Sequence, residues 1–344
     1  MLTFKTYLTE ATAPNKGDVF EFVFAAACVA YILSPGKITI KQVSTIMDNY
    51  FKGKNTYPTG NGTVTFNTAK LPEAALLALQ NPKYRNSSEV DKIKESGIYS
   101  VSSAASILDD VIKMKGNIGV LPVGTADQSG TKSDIDITVN NKIAKRISLK
   151  YGSKTFGQWA GSDVALQIKE ALANIGIRLP AASLAVLDPK TLKLVGIYTD
   201  RNDPNYTTHD KAKLFKAVQA IFDNVSSKTP NAQVIYDGFK AAVQGEEPDI
   251  IAISAAGKTV QIFDPNFFSK FEKGLKGSML NWETEGGGNP SLILHAHSSK
   301  DKKDYKLFKI RFRFDADPKK DGYKLRTRTY LEIYPEINKF IAPF

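Results

Sequence analysis

The longest apolar run, VFEFVFAAACVAYIL from Val19 to Leu33, places apolar residues on every side of a 3.6-residue period, so it predicts a helix buried all round. Asp18 is the expected cap at its start, and Ser34, Pro35 and Gly36 stop it. Mostly helical periodicity follows to Lys115, with helices expected near 41–51, 72–80 and 101–115 around a β-like run at 63–68. It reads as a helical layer inserted at about 37–116. The period then drops to two. Residues 118–123, 134–139 and 145–151 predict three successive strands, a meander, with Asn140 and Asn141 at one turn. A helix over 162–173 and two strands, 183–187 and 194–199, are expected next, with Asp188-Pro189 turning between the strands. Two amphipathic helices near 210–225 and 230–243 then lead into candidate strands at 250–254, 259–263, 291–297, 305–314 and 324–333.

These elements predict an α/β fold: a leader or linker over 1–16, a core over 17–200 and a β-rich region over 201–344 opened by a helical hairpin. With 344 residues the chain is long enough for two cores. Its 46 Lys and Arg against 35 Asp and Glu give a net charge of +11, which points to a polyanionic partner, nucleic acid or an anionic membrane surface. The single cysteine, Cys28, excludes an internal disulfide framework and a cysteine-based zinc cluster, and fits a reducing compartment. The longest apolar stretch, 22–33, is too short to span a bilayer, and the first ten residues lack the apolar core of a secretory signal. A cytoplasmic protein that acts on no membrane is the expectation.

The sharpest chemistry lies in KSDIDITV followed by ISLKYGS. Residues two apart on a strand share a face, so Asp134 and Asp136 on one strand and Ser148 and Lys150 on the next are expected to converge on one side of the meander. Two carboxylates suit Mg²⁺ with an open water position, and an ammonium beside them offsets the charge that grows on a phosphate. Glu21, the one charged residue inside the apolar helix, needs a metal, a lysine, an arginine or the positive end of the helix dipole to compensate it. The plainer reading of the strand residues is an exposed hairpin with Asp and Lys paired across it.

Through Ser133-Asp134-Ile135, Ser148-Leu149-Lys150, Gln158 and the upstream Glu21, the chain resembles the PD-(D/E)xK nuclease superfamily, the restriction-endonuclease-like fold. The resemblance covers about 17–198 and implies a core of helix, three-strand meander, helix and strand. By position it makes Asp134 the strand acid, Lys150 the catalytic lysine, Glu21 the helix acid and Gln158 a polar residue near the metal, Mg²⁺ or Mn²⁺. The family's acid two residues before the lysine is Ser148 here, so the second carboxylate has to come from Asp136 or Glu21, or the site is degenerate. Lys154, in the Gly-, hydroxyl- and aromatic-rich YGSKTFGQWAG, is a candidate backbone contact to DNA, and Gln167 is a weaker counterpart of Gln158.

A second basic feature lies near the end of the chain. Lys309, Arg311 and Arg313 alternate with Phe308, Ile310, Phe312 and Phe314, and Arg326 and Arg328 alternate with Leu325, Thr327 and Thr329. The residues from Lys300 to Arg328 include 12 basic and 5 acidic side chains, so a cationic row free of acids and able to track the phosphates of duplex DNA is expected. His295 and His297 share a strand face but have no third zinc ligand nearby, and are expected to face solvent, while His209 lacks the neighbours of a catalytic base. Gly286, Gly287 and Gly288 lack the Lys-Ser/Thr of a phosphate-binding loop and suit a hairpin. Residues 1–11, ending Leu8-Thr9-Glu10-Ala11, resemble the cleaved leaders of T-even-type phage head proteins, which implies a phage source and a protein packaged in the head. Together these features predict a Mg²⁺-dependent DNA endonuclease, dimeric if it cuts both strands. The alternative is an inactive nucleic-acid-binding or internal virion protein of the same fold.

Overall fold

The computed structural model describes residues 14–124, 133–152, 155–161, 163–199, 203–245, 249–286, 288–314 and 327–344. The proposed leader, Lys154, Gly287 and Arg326 lie outside them. The fold is mixed α/β with two sheets, and the chain divides into two compact units. One comprises Met1–Ser153 and Glu246–Asp264, the other Lys154–Gly245 and Pro265–Phe344. The chain therefore leaves and re-enters each unit, rather than breaking once near residue 200 as its composition suggested.

In the first unit, α1 (Lys16–Leu33) starts at Asn15, whose side chain accepts a hydrogen bond from the Gly17 amide at 3.0 Å. Asn15 is the cap in place of Asp18, which sits in the first turn and is buried. Then come α2 (Ile40–Phe51), β1 (Thr56–Thr59), β2 (Gly62–Phe66), α3 (Glu73–Gln80), α4 (Pro82–Arg85), α5 (Ser88–Ser103) and α6 (Ala105–Lys113). The stretch read as one helix over 101–115 is thus the end of α5, capped by Ser87 well upstream, and a separate α6. The meander is β3 (Ile118–Pro122), β4 (Ile135–Val139) and β5 (Lys142–Tyr151), and β4 and β5 join through Asn140 and Asn141, both at positive φ (50° and 63°), as a two-residue hairpin requires.

The chain passes to the second unit with β6 (Thr155–Gly161), α7 (Val164–Asn174), α8 (Ala181–Leu184), a short 3₁₀ turn, α9 (Pro189–Leu194), α10 (Thr208–Ser226) and α11 (Ala232–Gln244). The strands expected at 183–187 and 194–199 are therefore replaced by helical turns. Asp188 accepts hydrogen bonds from the amides of Lys190 and Thr191, so Asp188-Pro189 caps a helix, with proline at its first position, instead of turning between strands. The chain returns with β7 (Ile250–Ala256) and β8 (Thr259–Phe263), and ends in the second unit with α12 (Pro265–Lys276), β9 (Ser278–Glu285), β10 (Ser291–Ser298), β11 (Asp304–Phe314), β12 (Thr327–Ile333) and α13 (Ile337–Ile341).

The first sheet runs β1-β2-β3-β4-β5-β7-β8. The meander is antiparallel, and β7 lies parallel to β5, so β7 is the strand that follows the meander in the sheet. Helix α1 packs on β2, β3 and β5 and is also enclosed by α2, α5 and α6, which accounts for a sequence apolar on every side. Phe22 at its centre meets Tyr50, Phe51 and Phe66 at ring distances of 4.9–5.4 Å. Gly97 of α5 lets α1 come close, since a Cβ there would lie 3.0 Å from Val23 Cγ1. Ile135, Ile137, Ile147 and Leu149 point into this core, and Asp136, Ser148 and Lys150 alternate with them along β4 and β5.

The second sheet is antiparallel throughout, in the order β6-β12-β11-β10-β9. Phe308, Ile310, Phe312 and Phe314 on β11 are buried; Phe308 stacks on Phe239 of α11, and Phe312 meets Phe215 of α10. Gly238 permits α11 to cross the end of α7, because a Cβ there would meet the Asn174 carbonyl oxygen at 1.5 Å. Among the described residues no helix is long and apolar enough to cross a membrane.

Candidate functional site

Asp134 sits at the point where β4 begins. Its amide donates to the Ile147 carbonyl at 2.9 Å and its carbonyl accepts from the Val123 amide at 2.9 Å, so its backbone is fixed between the neighbouring strands. Its carboxylate accepts hydrogen bonds from Ser148 Oγ at 3.1 Å and from the Leu149 amide at 2.5 Å. Burial pushes the Asp134 carboxyl above its ordinary range, while Lys150 and these two donors pull it back. Ser148 is 2 % exposed and works as an orienting donor to Asp134.

Glu21, on α1, is coupled through space to Asp134 and Lys150. It is 6 % exposed, and its Oε2 has no hydrogen-bond partner among the described residues. Burial, then the charges of Asp134 and Asp18, push its carboxyl up to about 8, opposed by Lys150. Asp18 is likewise raised, by burial and by Asp134. Lys150 lies near enough to act on both Glu21 and Asp134 through space, with no direct ion pair to either among the described residues. Asp18 is the residue that the sequence pattern assigns to a cap. Asp18 and Glu21 are three apart on the helix and so share a face.

The other expected members have these neighbours. Asp136 has the expected alternation, stands opposite Arg146 and accepts a hydrogen bond from Ser133 Oγ at 2.7 Å. Gln158 lies on β6 of the second unit, exposed and opposite Tyr330, on a strand where the sequence suggested a loop. Gln167, on α7, is buried and donates to Thr327 Oγ1 at 2.9 Å.

Asp134 and Glu21 offer carboxylate oxygens alone, the donors that Mg²⁺ and Mn²⁺ take, in a setting where ionised carboxylates lack compensation; in kind and charge they fit such an ion. Among the described residues no three His, Cys, Asp or Glu side chains stand in a metal-holding arrangement as they are.

In the second unit, Lys309, Arg311 and Arg313 of β11 and Arg328 of β12 occupy one face, as their alternation predicts. The expectation that this row is free of acids is overturned. Arg311 pairs with Glu332, Lys309 lies 3.7 Å from Glu285, and Arg313 stacks on Tyr330 at 4.3 Å and donates to its hydroxyl at 3.0 Å. The acids come from β9 and from position 332 of β12, outside the segment whose charges were counted. His297 pairs with Asp304 at 2.9 Å, and His295, against expectation, is largely shielded and pairs with Glu283 at 2.7 Å. Burial lowers the His295 pKa, against the opposing pull of Glu283. Cys28 is buried within α1, where burial pushes its thiol up, away from nucleophilic use. No family model matches the chain, and no curated protein or solved structure matches it.

Proposed function

We propose that the chain is a divalent-cation-dependent DNA endonuclease with the restriction-endonuclease-like core that its motifs resemble. The observation that carries this reading is the hydrogen-bonded pair Asp134 and Ser148 where the antiparallel meander meets a parallel strand, with the buried Glu21 and Lys150 coupled to Asp134 through space. Such a group has the parts for phosphodiester hydrolysis. Ser148 Oγ and the Leu149 amide fix the Asp134 carboxylate in one orientation. Asp134 and Glu21 would hold Mg²⁺ or Mn²⁺, which when bound supplies an activated water and offsets charge on the phosphate. Lys150 brings a positive charge for the oxygens of the scissile group, the kind of preorganised donor worth about 10²–10³ in rate. The cationic face of β11 and β12 is the proposed hold on the duplex, moderated by its own acids. A phage origin, packaging in the head and a homodimer for double-strand cutting are further parts of the proposal; the first two rest on residues 1–11 alone.

The test is incubation of long linear duplex DNA with the native protein and with Lys150→Ala, in Mg²⁺ and in chelator. The reading expects fragmentation by the native protein in Mg²⁺ alone, reduced at least about 100-fold in the variant. Ser148 in the place of an acid, and donors that do not yet converge, favour a second reading, a DNA-binding protein of the same fold without cleavage. That reading expects shifted but intact DNA under all conditions.

A further inference from the structure

Acids take up part of the charge of the β11–β12 row, so the least engaged cations of the second unit lie elsewhere. The turn between β10 and β11 carries Lys300, Lys302 and Lys303, all exposed and, among the described residues, in no ion pair. The acids beside them are engaged by other groups: Asp301 accepts a hydrogen bond from the Tyr305 hydroxyl, and Asp304 pairs with His297 at 2.9 Å. Backbone hydrogen bonds pin the turn. The Ser298 amide donates to the Lys303 carbonyl at 2.9 Å, the Lys302 amide donates to the Ser298 carbonyl at 3.0 Å, and Ser298 Oγ accepts from the Lys300 amide at 3.3 Å. The Ser299 amide donates to the Gly277 carbonyl at 3.2 Å, and the Gly277 amide to the Lys273 carbonyl at 2.9 Å, so the turn adjoins a fourth exposed lysine in the last turn of α12. Lys302 has φ 60°, a left-handed conformation that is unfavourable for lysine and that glycine takes freely. Backbone geometry therefore does not account for a lysine at this position.

We propose that the β10–β11 turn is a phosphate-binding surface for duplex DNA, with Lys300, Lys302 and Lys303 as its contacts and Lys273 beside them. The inference rests on the DNA binding that both readings above share, and not on cleavage. An ammonium is a compact point charge, suited to a phosphate oxygen more than to the edge of a base, so the surface holds DNA without reading its sequence. The turn backbone is already ordered and its lysines have no ion pair to give up, whereas Arg311 and Lys309 have first to leave Glu332 and Glu285. Lys303 and Arg313 stand at opposite ends of β11, about 30 Å apart along the strand, well beyond a Debye length. The two sets of cations therefore contribute separately, and the turn is the stronger of the two per lysine.

The test is binding of a short fluorescent duplex by the full chain in chelator, across a salt series. The native protein is compared with the triple variant Lys300→Gln, Lys302→Gln, Lys303→Gln and with a control for net charge, Lys37→Gln, Lys52→Gln, Lys54→Gln, at exposed positions of the first unit. Thermal unfolding checks that each folds. The expected result in the turn variant is a salt slope lower by about 2–3 and an affinity at low salt weakened at least about tenfold, with the control within about threefold of the native protein. Lys302→Gly is expected to unfold no lower than the native protein and yet to lose about one counterion, which a merely structural lysine would not do. Native affinity and slope in the turn variant, or equal losses in the two triple variants, would overturn this inference and leave the nuclease reading standing. Binding to phosphatidylserine vesicles that the turn variant loses while it keeps native DNA binding would overturn it in favour of a membrane surface. No DNA binding by the native chain would overturn both.

Discussion

The two charged regions of the molecule handle charge in opposite ways. In the first unit, burial and mutual coupling hold the carboxyls of Asp18, Glu21 and Asp134 above their ordinary range, with Lys150 the cation acting on two of them at a distance. On the second sheet, acids meet the cations of β11 directly, Glu332 of the adjacent β12 at Arg311 and Glu285 of β9, two strands away, at Lys309. A paired cation is at rest, whereas a buried carboxyl without a partner, as at Glu21 Oε2, disfavours its own charge. The first arrangement suits chemistry. The second suits adjustable contact with a polyanion.

Breaking the first region has the largest expected effect. Lys150→Ala lowers DNA cleavage by about 10²–10³-fold, read by single-turnover assay, while the affinity for DNA changes far less because the β11–β12 face is intact. Equal losses of binding and cutting would merge the two regions into one function.

Next in size is a pH effect on stability. In chelator the folded Glu21 carboxyl titrates at about 8 against an ordinary 4.5, so over that window the folded state keeps a proton that the unfolded chain has lost. Stability therefore falls as pH rises from 4.5 to 8, by an amount on the order of a few kcal/mol, and levels off above. Asp134 and Asp18, also raised, add the same sign from the acid end. Thermal unfolding checks this: Glu21→Gln flattens the slope, and Mg²⁺ restores the native protein at about pH 8.

The smallest effects sharpen the second region. Glu332→Gln and Glu285→Gln release Arg311 and Lys309, so DNA binding tightens by a few-fold each at low salt, and its dependence on salt steepens by up to about one counterion per freed cation. Binding measured across a salt series reads both. No change would mean that these cations do not face the duplex.

How much of the fold is legible in the sequence depends on the range of the interactions involved. The all-round apolar pattern of α1 and the period-two runs of β3, β4 and β5 are local and readable, as is the Asn140-Asn141 turn. Beyond Gly152 the local pattern misleads, because pairing there is remote. Residues 155–161 are Gly-rich and loop-like by composition, yet they pair with β12, some 170 residues on. The strand beside β5 is likewise β7, across an excursion into the other unit, so the nearer 194–199 imitates it in sequence alone. Of the site, Asp134, Ser148 and Lys150 are legible from strand alternation and Glu21 from being a lone charge on an apolar helix. For Asp136 alternation assigns a face and not a partner: the donor to its carboxylate is Ser133. The acids opposite the cationic row come from β9 and the far end of β12, beyond what a local charge count can include.

The division between cutting and holding is tested most directly by Asp134→Asn, assayed in parallel with the native protein for cleavage of one duplex in Mg²⁺ and for binding to it in Ca²⁺. The account predicts that cleavage is lost and binding is kept within about a factor of three, since no phosphate contact has been removed. Cleavage at the native rate by Asp134→Asn would contradict it.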